Sequence, residues 1–156
     1  MPDIQIIPLD HLPLDDLHPM LEESRAQGFG FLDRLVDEYD RGINRFDKPG
    51  EGLFGVYSGG EMIAIGGLNH DPYLGQSDVA RVRRVYVRSA WRRKGVGKRL
   101  VQHIIASARE HFRLLTLRTM TAEADQFYWA IGFQTGPEIE NATHYLALEE
   151  SRKINL

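Results

Sequence analysis

The chain has 156 residues with 42% hydrophobic and 26% charged content, values that fit one globular domain over residues 1–156 with a core of its own. It has no cysteine, which excludes disulfides, thiolate metal sites and a cysteine nucleophile, and fits a reducing cytoplasm. The net charge of −3 hides a local excess: nine Lys and Arg and no acid lie between Arg81 and Arg99, leaving ten basic residues against 22 acids elsewhere.

That imbalance points to a local anion site on an acidic chain. A nucleic-acid partner would favour a more broadly basic surface, so none is expected. No apolar run approaches the ~20 residues of a membrane span, and the N-terminus, MPDIQIIPLDHLPLDD, lacks the basic and apolar regions of a signal peptide. No membrane partner is expected either.

In chain order, Asp3–Ile7 reads as a short strand. Leu14–Ala26 and Phe31–Arg41 carry apolar residues at helical spacing (Leu17, Met20 and Leu21; Leu32, Leu35, Val36 and Tyr39), with Gly28-Phe29-Gly30 between them. Gly42–Gly50 is a turn-rich loop. Leu53–Tyr57 and Met62–Leu68 flank Ser58-Gly59-Gly60 as a hairpin. After a polar loop, His70–Asp78, comes the β-branched strand Val79–Val87. Gly95–Phe112 is a strongly amphipathic helix. Leu114–Leu117 is a strand, Ala122–Ile131 a helix stopped by Gly132, and Thr143–Leu148 a last strand. The order predicts a mixed α/β protein with consecutive antiparallel strands and a later βαβ crossover.

The passage from strand to amphipathic helix reads RVYVRSAWRRKGVGKRLVQHIIASA. A helix start leaves backbone N–H groups without partners and carries partial positive charge, so acids are favoured there. This one is surrounded by Arg92, Arg93, Lys94, Lys98 and Arg99, a conflict that a bound polyanion removes. Gly95 and Gly97 allow close approach of backbone N–H groups to phosphate oxygens. A dinucleotide-binding GxGxxG does not fit, because Leu100 stands at the third glycine position, and no GxxxxGK[ST] occurs.

Arg92-Arg93-Lys94-Gly95-Val96-Gly97 resembles the (Q/R)-x-x-G-x-(G/A) signature of the GNAT superfamily of N-acetyltransferases. Ala124–Phe133 (ADQFYWAIGF) is similar to that family's second signature, A-x-x-F-Y-x-x-x-G-F. The likeness is firm from about Gly52 to Leu148. It implies an α/β (α+β) fold with a mixed, mostly antiparallel central sheet of six to seven strands and about four helices. It implies acetyl-CoA as cosubstrate, the strand end Val85-Tyr86-Val87 pairing through its backbone with the pantetheine arm, and the pyrophosphate held by the Arg92–Lys98 turn. Thr121 stands where many relatives have a cofactor-contacting asparagine, so that contact is altered or passes to Gln126. Tyr128 matches the tyrosine that protonates the departing thiolate. The expected reaction is direct acetyl transfer to a primary amine of a small molecule. A protein or peptide amine, or a non-catalytic acyl-CoA sensor, are the alternatives. Family members are often dimers, which makes a homodimer the assembly implied.

Direct transfer needs a neutral amine, and an alkylamine of pKa near ~10 is mostly protonated at neutral pH. Here the sequence departs from the family: where many relatives carry a glutamate on the strand before the glycine turn, this one has Arg81, Arg83 and Arg84. Their default reading is exposed strand charge, with attraction of an anionic acceptor or of the cofactor's ribose phosphate as the alternative. Candidate bases are His70, Asp71, Glu138, Glu140 and, foremost, His144; a water path is equally open. Asn44, Arg45 and Phe46 could line an acceptor pocket, and Trp91 reads as a packing residue. One histidine beside one carboxylate at His70-Asp71 is too few ligands for a metal, and none is expected.

Overall fold

A computed structural model of the chain describes residues 3–148. Seven strands form a single sheet: β1 (Gln5–Pro8), β2 (Gly52–Ser58), β3 (Glu61–His70), β4 (Val79–Val87), β5 (Leu114–Leu117), β6 (Gln134–Thr135) and β7 (His144–Ala147). Their spatial order is β1-β2-β3-β4-β5-β7-β6. Every pairing is antiparallel except β4 with β5. A parallel pair needs a crossover, and the helix α3 (Val96–Arg109) supplies it. The remaining helices are α1 (Leu14–Ala26), α2 (Phe31–Asp40) and α4 (Ala122–Ile131).

The two faces of the sheet bury two separate apolar clusters. On one face Leu100, Val101, Ile104, Ile105 and Ala108 of α3 pack on Phe54, Val56, Ile63, Ala80 and Val82. Leu100 and Ile104 are fully buried, each stabilising the fold by about 1.5–3 kcal/mol. On the other face Leu17, Met20 and Leu21 of α1 and Leu32 and Leu35 of α2 cover Leu53, Met62, Ile65 and Tyr86. β3 is buried along nearly its whole length because helices cover both its sides, which explains why its sequence is a continuous apolar run rather than an alternating one.

The expected elements are all present, with α1, β4, β5 and α4 at the bounds read from the sequence. α3 begins one residue later than read and ends at Arg109. Two pieces were not foreseen. A 3-10 turn, Ser89–Trp91, follows β4. The two-residue β6 adds an edge strand beyond β7 and is too short for any periodicity to announce it.

Candidate active site

A cleft opens where β4 and β5 part. The two strands pair only from Val79–Leu114 to Arg81–Thr116, after which β5 leads through Arg118 towards α4 and that edge of β4 has no strand partner among the described residues. The Arg88 N–H donates to the Ile63 carbonyl at 2.9 Å. Alternate residues of an antiparallel strand turn their backbone groups to opposite edges, so those of Val87 and Val85 face the open side. The opening encloses about 640 Å³, and Val85, Leu117, Thr119, Thr121, Ala124 and Tyr128 line part of it.

The open edge runs into the glycine turn. Arg93 (φ 62°) and Gly95 (φ 81°) are both left-handed, which folds the chain sharply into α3. The first helical bond there is Arg99 N–H to Gly95 O, 3.1 Å. The N–H groups from Arg93 to Lys98 have no hydrogen-bond acceptor among the described residues. The first turn of α3 contains no acid. A side chain at Gly95 would meet open space, whereas a Cβ at Gly97 would come within 3.3 Å of the Phe127 ring and 3.4 Å of Val87. Gly95 therefore serves the backbone bend and Gly97 the close seating of α3 against α4.

The basic side chains around this turn do not all point outward. Arg92 donates from Nε to the Val87 carbonyl (2.9 Å) and from Nη2 to Gln27 Oε1 (3.0 Å), with its guanidinium 5.2 Å from the Tyr86 ring centre. Lys94 sits over the Trp91 ring, and Trp91 packs on the core. The Tyr86 hydroxyl donates to Glu23, which also accepts from the Ser89 N–H at 2.9 Å. The C-terminal end of α1 thus braces the turn from below.

Tyr128 lies on the inner side of α4 at the cleft wall, 8% exposed, against Phe127 and Phe133. Its hydroxyl makes no hydrogen bond among the described residues, and burial pushes its phenol well above the ordinary tyrosine pKa. Thr121 caps α4, its hydroxyl accepting from the Ala124 N–H at 3.1 Å, and it too lines the cleft. Gln126 is exposed on α4 and is not among the lining residues.

The expected bases lie elsewhere. His144 is 2% exposed, with Nδ1 2.8 Å from Thr143 Oγ1 and Nε2 2.7 Å from Asp125 Oδ1. It is absent from the cleft lining, and acting as a base would require giving up one of those bonds. Asp71 accepts from Thr116 Oγ1 (2.6 Å) and from the Tyr73 and Leu74 N–H groups. His70 bonds the Pro49 carbonyl. Glu138 and Glu140 are not cleft residues. Nor are Asn44, Arg45 and Phe46: Asn44 exchanges two amide hydrogen bonds with Asn69, and the Phe46 ring covers Gly67. Among the described residues no group of three or more His, Asp or Glu is placed to hold a metal ion.

The β4 arginines correct the sequence reading. The register of β3 against β4 slips between Ile65 and Gly67, and Arg84 in this bulge has φ 60°. Before the bulge Ala80 and Val82 face α3; after it Val85 and Val87 do, and Tyr86 faces α1 and α2. The side chains of Arg81 and Arg84 are only 8% and 10% exposed, so they are not the exposed strand charges expected. Arg84 Nη2 donates to Glu38 of α2 at 3.2 Å. Arg34 and Glu38, four residues apart on one face of α2, line the cleft with Arg83 and Arg84. The i,i+4 spacing of Arg34 and Glu38 was the only sequence sign of this second wall.

Known proteins share this architecture. A protein from Exiguobacterium sp. 255-15, assigned as an acetyltransferase, is 28% identical with a TM-score of 0.82, over 99% of each chain. An acetyltransferase of the GNAT family from Staphylococcus aureus Mu50 is 18% identical, TM-score 0.73, over 94% of this chain and 99% of its own. The ribosomal-protein-S18-alanine N-acetyltransferase of Escherichia coli is 18% identical, TM-score 0.65, over 94% of each. No curated protein matches the sequence. The model of the acetyltransferase (GNAT) family matches residues 15–133, and with the parted strands and the bare N–H turn lying inside that span, the chain belongs to the GNAT acetyltransferases.

Proposed function

We propose that the protein transfers an acetyl group from acetyl-CoA directly to a primary amine of a small molecule. The observation that carries this reading is the continuity of the unpaired edge of β4 with the N–H groups of the Arg93–Lys98 turn. The edge offers Val85 and Val87 as backbone partners for the amides of a pantetheine arm, and the turn offers converging donors to a pyrophosphate. The residues present fit the cosubstrate because the β4 edge has no strand partner and the turn N–H groups have no acceptor among the described residues, with only Arg92 Nε reaching that edge, at the Val87 carbonyl. Bound there, acetyl-CoA supplies the activated acyl group.

The chain's own residues do the rest. A free N–H of the β4 edge near Val87 polarises the acyl oxygen, as in an oxyanion site. The Tyr128 hydroxyl, free of protein partners, donates a hydrogen bond to the departing sulfur. Its raised pKa keeps it protonated through the physiological range and makes it a hydrogen-bond donor to the thiolate before it is a full proton donor. Among the cleft-lining residues Glu38 is the only carboxylate, which makes it the group that orients the amine and receives its proton directly or through water. His144 is a positioning residue: its ring centre is 6.0 Å from that of Tyr128, and its bond to Asp125 ties α4 to β7.

Thiol release from acetyl-CoA across a panel of small amines and peptides tests the proposal. Turnover of small amines is expected. Tight acetyl-CoA binding with no turnover of any amine would point to a sensor, and turnover of peptides alone to a protein acceptor.

A further inference from the structure

We propose that the acceptor carries an oxyanion, a carboxylate or a phosphate, on the same small molecule as its amine, and that Arg34, Arg83 and Arg84 bind it. This substrate class rests on the transferase reading above and narrows it.

The acceptor wall of the cleft is lined by Arg34, Arg81, Arg83, Arg84 and Arg118 against a single carboxylate, Glu38. Arg81 is held by the fold, although its buried Nη1 also lacks a hydrogen bond: it lies 3.7 Å from Asp71, donates from Nη2 to the Asn141 carbonyl at 2.9 Å and stacks on Tyr73. The others are not. Arg34, Arg83 and Arg118 have no side-chain hydrogen bond or ion pair among the described residues. Arg84 is nine-tenths buried, its Nε has no hydrogen-bond partner, and its one ionic contact is Glu38. Burial, then the like charge of Arg83, lowers its pKa.

A buried guanidinium with donors to spare is costly unless an acceptor completes it. The backbone adds to that cost, since Arg84 is held at φ 60°, a conformation unfavourable for a side chain of this kind. Strain and desolvation spent on one residue at a cleft wall fit a ligand-binding role. The planar guanidinium fork matches carboxylate or phosphate oxygens in a bidentate manner. Glu38 Oε2 has no hydrogen bond among the described residues and can take the amine beside the anion.

The cosubstrate's own phosphates do not account for this cluster. The free N–H groups lie beyond the C-terminal end of β4, at Arg93–Lys98, whereas Arg83 and Arg84 lie in the bulge on the face that α2 covers. The bulge arginines and the turn N–H groups are therefore two distinct sets of anion donors, on different stretches of chain.

The test compares matched acceptors: L-amino acids against their carboxamides, and phosphoethanolamine against ethanolamine, each with acetyl-CoA. The carboxylate or phosphate member is expected to be preferred by about 10- to 100-fold in kcat/KM; which pair shows the preference identifies the oxyanion. In Arg83→Gln and Arg34→Gln, chosen because Arg84→Gln could disturb the bulge, the preference should fall to within a few-fold through KM, with CoA affinity changed less than about twofold. Equal or better use of the neutral members overturns the proposal. So does a loss of CoA affinity as large as the loss of acceptor affinity, which would assign the arginines to the cofactor. Thermal shift of the CoA-bound protein by the same pairs separates the two readings. Selective stabilisation by the anionic members without turnover would sink the transferase reading and leave the anion site standing; selective turnover of neutral amines would do the reverse.

Discussion

The C-terminal end of β4 and the bulge within it offer ligand groups of different kinds. At the C-terminal end the groups proposed to hold the cosubstrate are backbone N–H groups, exposed by a left-handed glycine and a helix start. At the bulge they are side chains, brought together from β4 and from α2 some 46 positions earlier in the chain. A backbone site depends on local conformation and tolerates exchange of the side chains around it. A side-chain site depends on tertiary placement and is free to change with the acceptor.

Tyr128 lines the cleft from α4, and its replacement should have the largest effect. Tyr128→Phe is expected to lower kcat by about 100-fold, the usual scale for a positioned proton donor, with CoA affinity unchanged. Burial raises the phenol pKa, so the wild-type profile should show no alkaline fall near pH 10 from this group. A descending limb there that vanishes in Tyr128→Phe would mean the hydroxyl is solvated and the cleft wall is more open than described.

The turn can be broken separately. Gly97→Val adds atoms where even a Cβ crowds Phe127 and Val87, at a cost of about 1–3 kcal/mol in overpacking. Because the strain falls on the first turn of α3, CoA affinity should drop by roughly tenfold while the acceptor KM at saturating CoA stays constant. Isothermal titration with CoA and a thermal melt of the free protein measure both. An acceptor KM that rises in step with the CoA dissociation constant would show that the turn and the bulge are not independent.

This division also explains what the sequence revealed. The turn was legible because its requirements are local: glycines for the bend and the close packing, basic residues where a bare helix should have acids. The amphipathic helix and the apolar runs of β2 and β3 were legible for the same reason. The acceptor wall was not. Nothing near Arg84 in the chain announces Glu38, and an arginine on a strand reads as surface until the bulge and α2 bury it. His144 drew attention as a polar residue on an apolar strand, and the fold gives its two nitrogens to Thr143 and Asp125. β6 escaped notice because two residues carry no pattern.

The bulge yields a third effect, of a size similar to that at the turn. Glu38→Gln keeps the shape of the wall and removes its only carboxylate. If Glu38 orients the amine, kcat/KM should fall by about tenfold for amines that are charged in solution and much less for an aromatic amine, which is already neutral at pH 7. An equal loss for both classes would reduce Glu38 to a structural partner of Arg84.

The smallest expected effect tests whether α1 steadies the turn. Burial acts to raise the Glu23 pKa, but the Tyr86 hydroxyl, the Ser89 N–H and the nearby Arg88 and Arg92 outweigh it, and the net shift is downward. Burial, and then the same contact, pushes the Tyr86 phenol up to about 12. A carboxylate with a depressed folded-state pKa stabilises the protein above its unfolded value, and that contribution is lost as pH falls through the folded value. Glu23→Gln should therefore be less stable than wild type by about 1 kcal/mol at pH 7, with the gap closing only as the pH drops below the ordinary glutamate range. Since Glu23 holds the Ser89 N–H and lies beside Gln27, which Arg92 grips, CoA affinity should weaken a few-fold under the same substitution, and acceptor discrimination should not change. A pH-independent stability difference would mean that Glu23 acts through packing alone. A change in acceptor discrimination would mean that α1 couples the turn to the bulge through Tyr86, and the two would then have to be treated as one site.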